Sequence, residues 1–175
     1  MQTTSQDSQA ILDQYHPVVT KILASLSELD CWFETFEHQP VRTSEEAAQV
    51  RTGYSLDQGA KALIVRVKLQ SGEKKFVMLV LSGSAKFDRT LVQATLQGRD
   101  IRFATPDEVA QITQGVELGG VPPFGNLFNL EVYVDPNLLK HEKIIFNAGD
   151  KRFSVAMQTA DYLRLVKPTV VTMVV

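Results

Sequence analysis

The sequence predicts an α+β domain with a mixed, mainly antiparallel sheet and helices around it. Segments with helical spacing stand at both ends of the chain and between the strands, and two long apolar runs are joined by a short turn. Regular alternation of strand and helix is missing, which argues against a doubly wound parallel sheet.

Taken in order, Ile11, Leu12, Tyr15, Val18, Val19, Ile22, Leu23, Leu26 and Leu29 recur at helical spacing over 8–29, with a bend or break expected near Pro17. The run CWFETFEH reads as a strand ending at His38. TSEEAAQV starts a short helix with Thr43 or Ser44 as N-cap, and Glu46 stands at capping-box distance from Thr43. AKALIVRVKL and KKFVMLVLSG, separated by QSGE, predict a β-hairpin of buried strands in the middle of the sheet. FDRTLVQATL returns to helical spacing and DIRFA to a short strand. TPDEVAQIT follows as a helix with Thr105 as cap, Pro106 at its first position and Glu108 closing the box. LEVYVD, EKIIFNAG and RFSVAMQ complete the strands, and TADYLRLV is a final helix stopped by Pro168. No linker or internal repeat divides the 175 residues, so one domain over 1–175 is expected, with 1–30 as an N-terminal helical segment.

With 44% hydrophobic and 22% charged residues, the composition is that of a globular protein. The polar start MQTTSQDSQ lacks the basic and apolar regions of a signal peptide, and no apolar run approaches a membrane span, so the expected compartment is the cytoplasm and no membrane partner is expected. A net charge of −2 argues against a protein that grips nucleic acid by bulk electrostatics, and no DNA partner is expected. The charge is unevenly spread: residues 1–58 carry 3 basic against 9 acidic side chains, residues 59–175 carry 15 against 11, and a one-sided positive surface is compatible with that. Cys31 is the only cysteine, and His16, His38 and His141 are the only histidines, each expected to be a surface or packing residue. No cysteine-based zinc cluster, His-rich metal site, phosphate-binding loop, dinucleotide fingerprint or nucleophile elbow is present, and neither metal nor cofactor is expected.

Two features stand out. Lys61 opens an otherwise apolar strand, where an ammonium is costly to bury; it either snorkels out at the strand end or faces a pocket meant for an anion. The stretch VELGGVPPFGNLF, residues 116–128, can join neither helix nor ladder and must be a stiff, shaped loop, because Pro122 and Pro123 fix φ while Gly119, Gly120 and Gly125 open backbone conformations closed to other residues.

Together HQPVRTSEEAAQVR, GAKALIVRV, GGVPPFG, VYVDPNLL and FNAGDKRFSVAMQTADYL, in that order over roughly 31–166, resemble the YbaK/prolyl-tRNA-synthetase editing-domain family of aminoacyl-tRNA deacylases. PPFG and FNAG with TADYLR look most like the freestanding members that deacylate tRNA mischarged with serine or threonine. The resemblance implies a sheet curled around a pocket, and hydrolysis in trans of the ester between a wrong amino acid and the 3′-terminal adenosine of a tRNA. The implied partners are mischarged aminoacyl-tRNA at its acceptor end and an aminoacyl-tRNA synthetase. Lys61 matches the family's functional lysine, suggested to hold the phosphate or ribose of that adenosine. Free N–H groups of Gly119, Gly120 and Val121 would face the aminoacyl carbonyl and its oxyanion. Pro122, Pro123 and Phe124 would stiffen that wall and border the substrate, Asn147, Ala148 and Gly149 would form the pocket floor or rim, and Thr43 and Ser44 would touch substrate or simply cap their helix. Asp135 before Pro136 is given no catalytic role. The site would favour serine, threonine or alanine by excluding larger groups. A catalytically inactive tRNA- or synthetase-binding module of the same fold, and a regulator binding a free amino acid or nucleotide, are the competing readings.

Overall fold

The computed structural model describes residues 5–175. The N-terminal helical segment is broken just before Pro17, the second of the two outcomes expected there, into helices α1 (Ser5–Leu12) and α2 (Pro17–Glu28). Pro17 starts the second helix, since it lacks only an N–H that a first turn leaves unused, and His16 caps it by accepting the Val18 N–H at 3.1 Å. Strand β1 (Phe33–Glu37) leads to α3 (Ser44–Val50), whose N-cap is Thr43: its hydroxyl accepts the Glu46 N–H at 3.1 Å. The reciprocal bond of the expected capping box is displaced by one residue, because the Glu46 carboxylate reaches the Arg42 N–H at 2.7 Å.

The hairpin β2 (Ala60–Leu69) and β3 (Lys74–Ser82) forms as predicted. It is followed by α4 (Arg89–Thr95), capped by Asp88, then β4 (Gly98–Phe103) and α5 (Pro106–Thr113), where Thr105 and Glu108 close a full capping box. The Gly/Pro loop leads into β5 (Glu131–Val134), then β6 (Lys143–Asp150), β7 (Phe153–Gln158), α6 (Thr159–Val166) and β8 (Thr169–Val170).

The strands divide into two sheets. One runs β1-β7-β6 and is antiparallel throughout; the other runs β4-β2-β3-β5-β8, antiparallel at β4-β2-β3 and parallel at β3-β5 and β5-β8. A bridge between Gly59 and Ile145 joins them. The main core lies where α2, α6 and both sheets meet: Val19, Ile22, Met78, Ile144, Phe146 and Tyr162 are essentially inaccessible. A smaller cluster under α4, with Val65, Val67, Leu79, Val92 and Ile101, covers the opposite face of the five-stranded sheet. The hairpin is thus buried on both faces, which explains its continuous apolar runs. Buried Asp135 is structural, its carboxylate accepting N–H groups of Asn137 (2.9 Å) and Met173 (2.8 Å). No helix among the described residues is long and apolar enough to cross a membrane.

Candidate active site

A cavity of about 480 Å³ opens beside the bridge between the sheets, a size suited to a small ligand. Its walls are α3 with the residue before it, the first residues of β2, the β4–α5 junction, the loop from Leu118 to Val121, and Asn147 of β6. Most of the surface is apolar, from small side chains such as Val41, Ala47, Ala60, Ala62 and Val121. Among the described residues the lining carries three cations, Arg42, Arg51 and Lys61, and no carboxylate. A second hollow, between α2 and the end of α5, contains none of the candidate site residues named from the sequence.

Lys61, the second residue of β2, is half-buried and lines this cavity. Its Nζ donates to the carbonyls of Gly83, at 3.5 Å, and Ala85, in the turn after β3. An ammonium has three N–H donors, so one remains for a ligand. Burial pushes its pKa below the ordinary lysine value; the negative charge of Glu45 opposes this and Lys86 adds to it.

Arg51 ends α3 and is only 6% exposed, a buried guanidinium with no carboxylate partner among the described residues. Its Nη2 donates to Asn147 Oδ1 at 2.9 Å and its Nε to Ser154 Oγ at 3.0 Å. Burial lowers its pKa to about 10, so it remains a cation at neutral pH. Asn147 then donates from Nδ2 to the Gly119 carbonyl at 2.9 Å, so that the arginine sets the amide and the amide sets the loop. Nothing in the residue pattern signals this role: a cation at the end of an amphipathic helix reads as a solvated partner of the helix dipole.

His38 lies behind the same network, its Nε2 2.7 Å from Ser154 Oγ and its Nδ1 2.8 Å from the Gln39 carbonyl. Burial, more than the nearby Arg51 charge, holds its pKa below the usual value, while the Gln39 carbonyl and Asp150 oppose the shift. Between the folded and unfolded pKa values the unfolded chain binds more protons, so stability is complete above about pH 6.5 and falls as pH drops through that window. Urea unfolding at pH 7.5 and 5.5 should therefore give a lower midpoint at the acid pH, and His38→Gln should reduce the difference.

The loop divides its residues between cavity and core. Gly119, at φ +91, and Val121 line the cavity, and among the described residues their N–H groups have no protein partner. Gly120 differs from expectation: its N–H closes a turn onto the Glu117 carbonyl at 2.9 Å and is not free. Pro122, Pro123 and Phe124 are buried behind the wall rather than bordering the cavity. The Pro123 carbonyl accepts the Tyr162 hydroxyl at 2.7 Å, and Phe124 packs on Phe146 and Tyr162 at centroid distances of 5.4 and 5.7 Å. Ala148 and Gly149 also turn away: strand alternation sends Ala148 into the core while Asn147 faces the cavity, and Gly149 packs against Val18 of α2. Thr43 and Ser44 do line the cavity, Thr43 while capping α3.

The arrangement combines an electropositive, largely apolar pocket with main-chain N–H donors held at a fixed wall. Among the described residues no histidine, aspartate or glutamate lines it, so that lining supplies no general base. Residues 38–165 match the family model of the aminoacyl-tRNA editing domain. The chain belongs to that family. Among relatives of this editing domain, the multifunctional Ser/Thr-tRNA deacylase ProXp-y of Escherichia coli K12 is 34% identical over 152 residues, which cover 86% of this chain and 89% of that protein. The prolyl-tRNA editing protein ProX of Acetoanaerobium sticklandii is 25% identical over 150 residues, 83% of this chain and 88% of the other. A crystal structure described as a candidate trans-editing enzyme for prolyl-tRNA synthetase superposes with a TM-score of 0.75 at 26% identity, covering 91% of this chain and 98% of that one. The fold and the family expected from the sequence are thus those observed, and hydrolysis of aminoacyl-tRNA esters is the activity of the family.

Proposed function

We propose that this editing domain acts in trans on tRNA mischarged with serine, threonine or alanine, hydrolysing the ester at the 3′-terminal adenosine. The observation that carries the reading is the pairing, in one cavity, of the Lys61 ammonium with the unpartnered N–H groups of Gly119 and Val121. Lys61 holds the phosphate or ribose of the terminal nucleotide, and the two amides stabilise the tetrahedral oxyanion without having to reorganise. Arg51 and Asn147 act as positioning residues, fixing the Gly119 carbonyl and through it the direction of the neighbouring amides. Water attacks the carbonyl, oriented by the loop and by the substrate's neighbouring hydroxyl. The small side chains of the lining leave room for a short aminoacyl group and exclude larger ones by clash. Such an enzyme works in the cytoplasm, alongside a synthetase whose errors it removes.

Deacylation assays with Ser-, Thr-, Ala- and Pro-charged tRNAs test the reading. Turnover of the first three, and not of the prolyl ester, is expected; no turnover of any would instead assign a binding module. Gly119→Ala probes the oxyanion wall. A Cβ at φ +91 is strained by about 1–3 kcal/mol, and relief of that strain swings the amide out of line. A fall in kcat of about 10²–10³-fold, the usual cost of losing one such donor, is expected.

A further inference from the structure

We infer that Phe103 and Leu118 form a clamp at the cavity mouth for the purine base of the 3′-terminal adenosine. The nucleotide's identity rests on the deacylase reading above; the clamp rests on the following geometry. Phe103 is 57% exposed and Leu118 56%, yet both line the cavity, which puts them at its entrance rather than in its depth. Large apolar side chains left uncovered around a concave site mark a surface that a ligand completes.

Phe103 is held firmly. It is the last residue of β4 and pairs with Val65 of β2, and the Arg102 guanidinium binds both the Phe103 carbonyl (2.8 Å) and the Glu108 carboxylate (2.8 and 2.7 Å). Phe87 meets its ring edge to face, at 5.4 Å and 80°. Phe87 belongs to the same turn whose Gly83 and Ala85 carbonyls hold the Lys61 ammonium. A single turn therefore supports both an aromatic surface and a cation on the lining of one cavity. A ligand that uses both has a flat π-face and a negative charge a short tether apart, which describes a nucleotide. Stacking is indifferent to base edges and suits an end whose sequence never varies. The cationic lining without carboxylates favours a polyanion over an apolar protein segment at the same place.

The test compares binding of the trinucleotide 5′-CCA-3′ with its counterpart bearing an abasic 3′-terminal ribose, by NMR titration of the wild type, Phe103→Ala, Phe103→Trp and Leu118→Ala, alongside deacylation of seryl-tRNA. The wild type should prefer CCA. Phe103→Ala should weaken CCA binding and raise KM by roughly 5- to 150-fold, the range a stacked base contributes, with kcat less affected. Phe103→Trp should restore both, and on the abasic oligonucleotide wild type and Phe103→Ala should bind alike. Equal wild-type binding of the two oligonucleotides, or unchanged CCA affinity and KM in Phe103→Ala, would overturn the clamp. Preference for CCA without turnover of any charged tRNA would leave the clamp standing and remove the deacylase reading; turnover without base preference would do the reverse.

Discussion

Lys61→Ala is expected to lower kcat/KM for seryl-tRNA by about 10- to 150-fold, the equivalent of losing one charge-assisted hydrogen bond of about 1.5–3 kcal/mol. The same change should leave the midpoint of thermal unfolding where it is or raise it. Burial already disfavours the ammonium, whose protein partners are two carbonyls and no carboxylate, so its removal relieves desolvation at small loss of bonding. Loss of activity without loss of stability separates a ligand-binding lysine from one that merely completes the strand. Lys61→Arg keeps the charge but brings a planar fork that does not fit the two carbonyls, and intermediate activity is expected. Wild-type kinetics in Lys61→Ala would remove this residue from the mechanism.

Gly149→Ala should be the most damaging small substitution for stability. A Cβ at this position would lie 1.9 Å from Val18 Cγ1, and the residue sits at φ +111. Overpacking costs about 1–3 kcal/mol and the forbidden φ about as much again, a total of about 2–6 kcal/mol against a typical stability of 5–15. Urea denaturation reads this directly. Adding Val18→Ala should recover the part due to the clash and none of the backbone strain, whereas Gly72→Ala, at φ +90 in open space, isolates the strain alone. A Gly149→Ala loss below about 1 kcal/mol would mean that α2 can slide away from the β6–β7 turn, contrary to the packing described.

Local chemistry is legible in the sequence wherever a few neighbouring residues decide the outcome. The Thr105-Pro106 start of α5 with Glu108, the QSGE turn of the hairpin and the stop before Pro168 all depend on groups within a turn of one another. What escapes is decided across long separations. The pattern EVYV is the same whichever strand it meets, so its parallel pairing with β3 cannot be read from it. The division into two sheets is equally hidden, as it depends on which strands find each other. Arg51 looks solvated because its partners Asn147 and Ser154 lie 96 and 103 residues away. In the loop, residue types alone identify a rigid wall. Which amides it leaves free depends on the Glu117–Gly120 turn, and which side chains it hides depends on Phe146 and Tyr162 in the core.

The pairing of β1 with β7 joins residues 33–37 to 153–157. On the ribosome the first of these strands emerges about 120 residues before its neighbour, an interval of roughly 6–24 s at ordinary rates of synthesis. Asn147, which donates to the Gly119 carbonyl of the Gly/Pro loop, arrives late as well, and a nascent chain carrying Lys61 and Arg51 has nothing yet to arrange them around. An unpaired strand edge in that interval invites association with other chains. A guardian of translational accuracy is thus most exposed to quality-control failure while it is itself being translated.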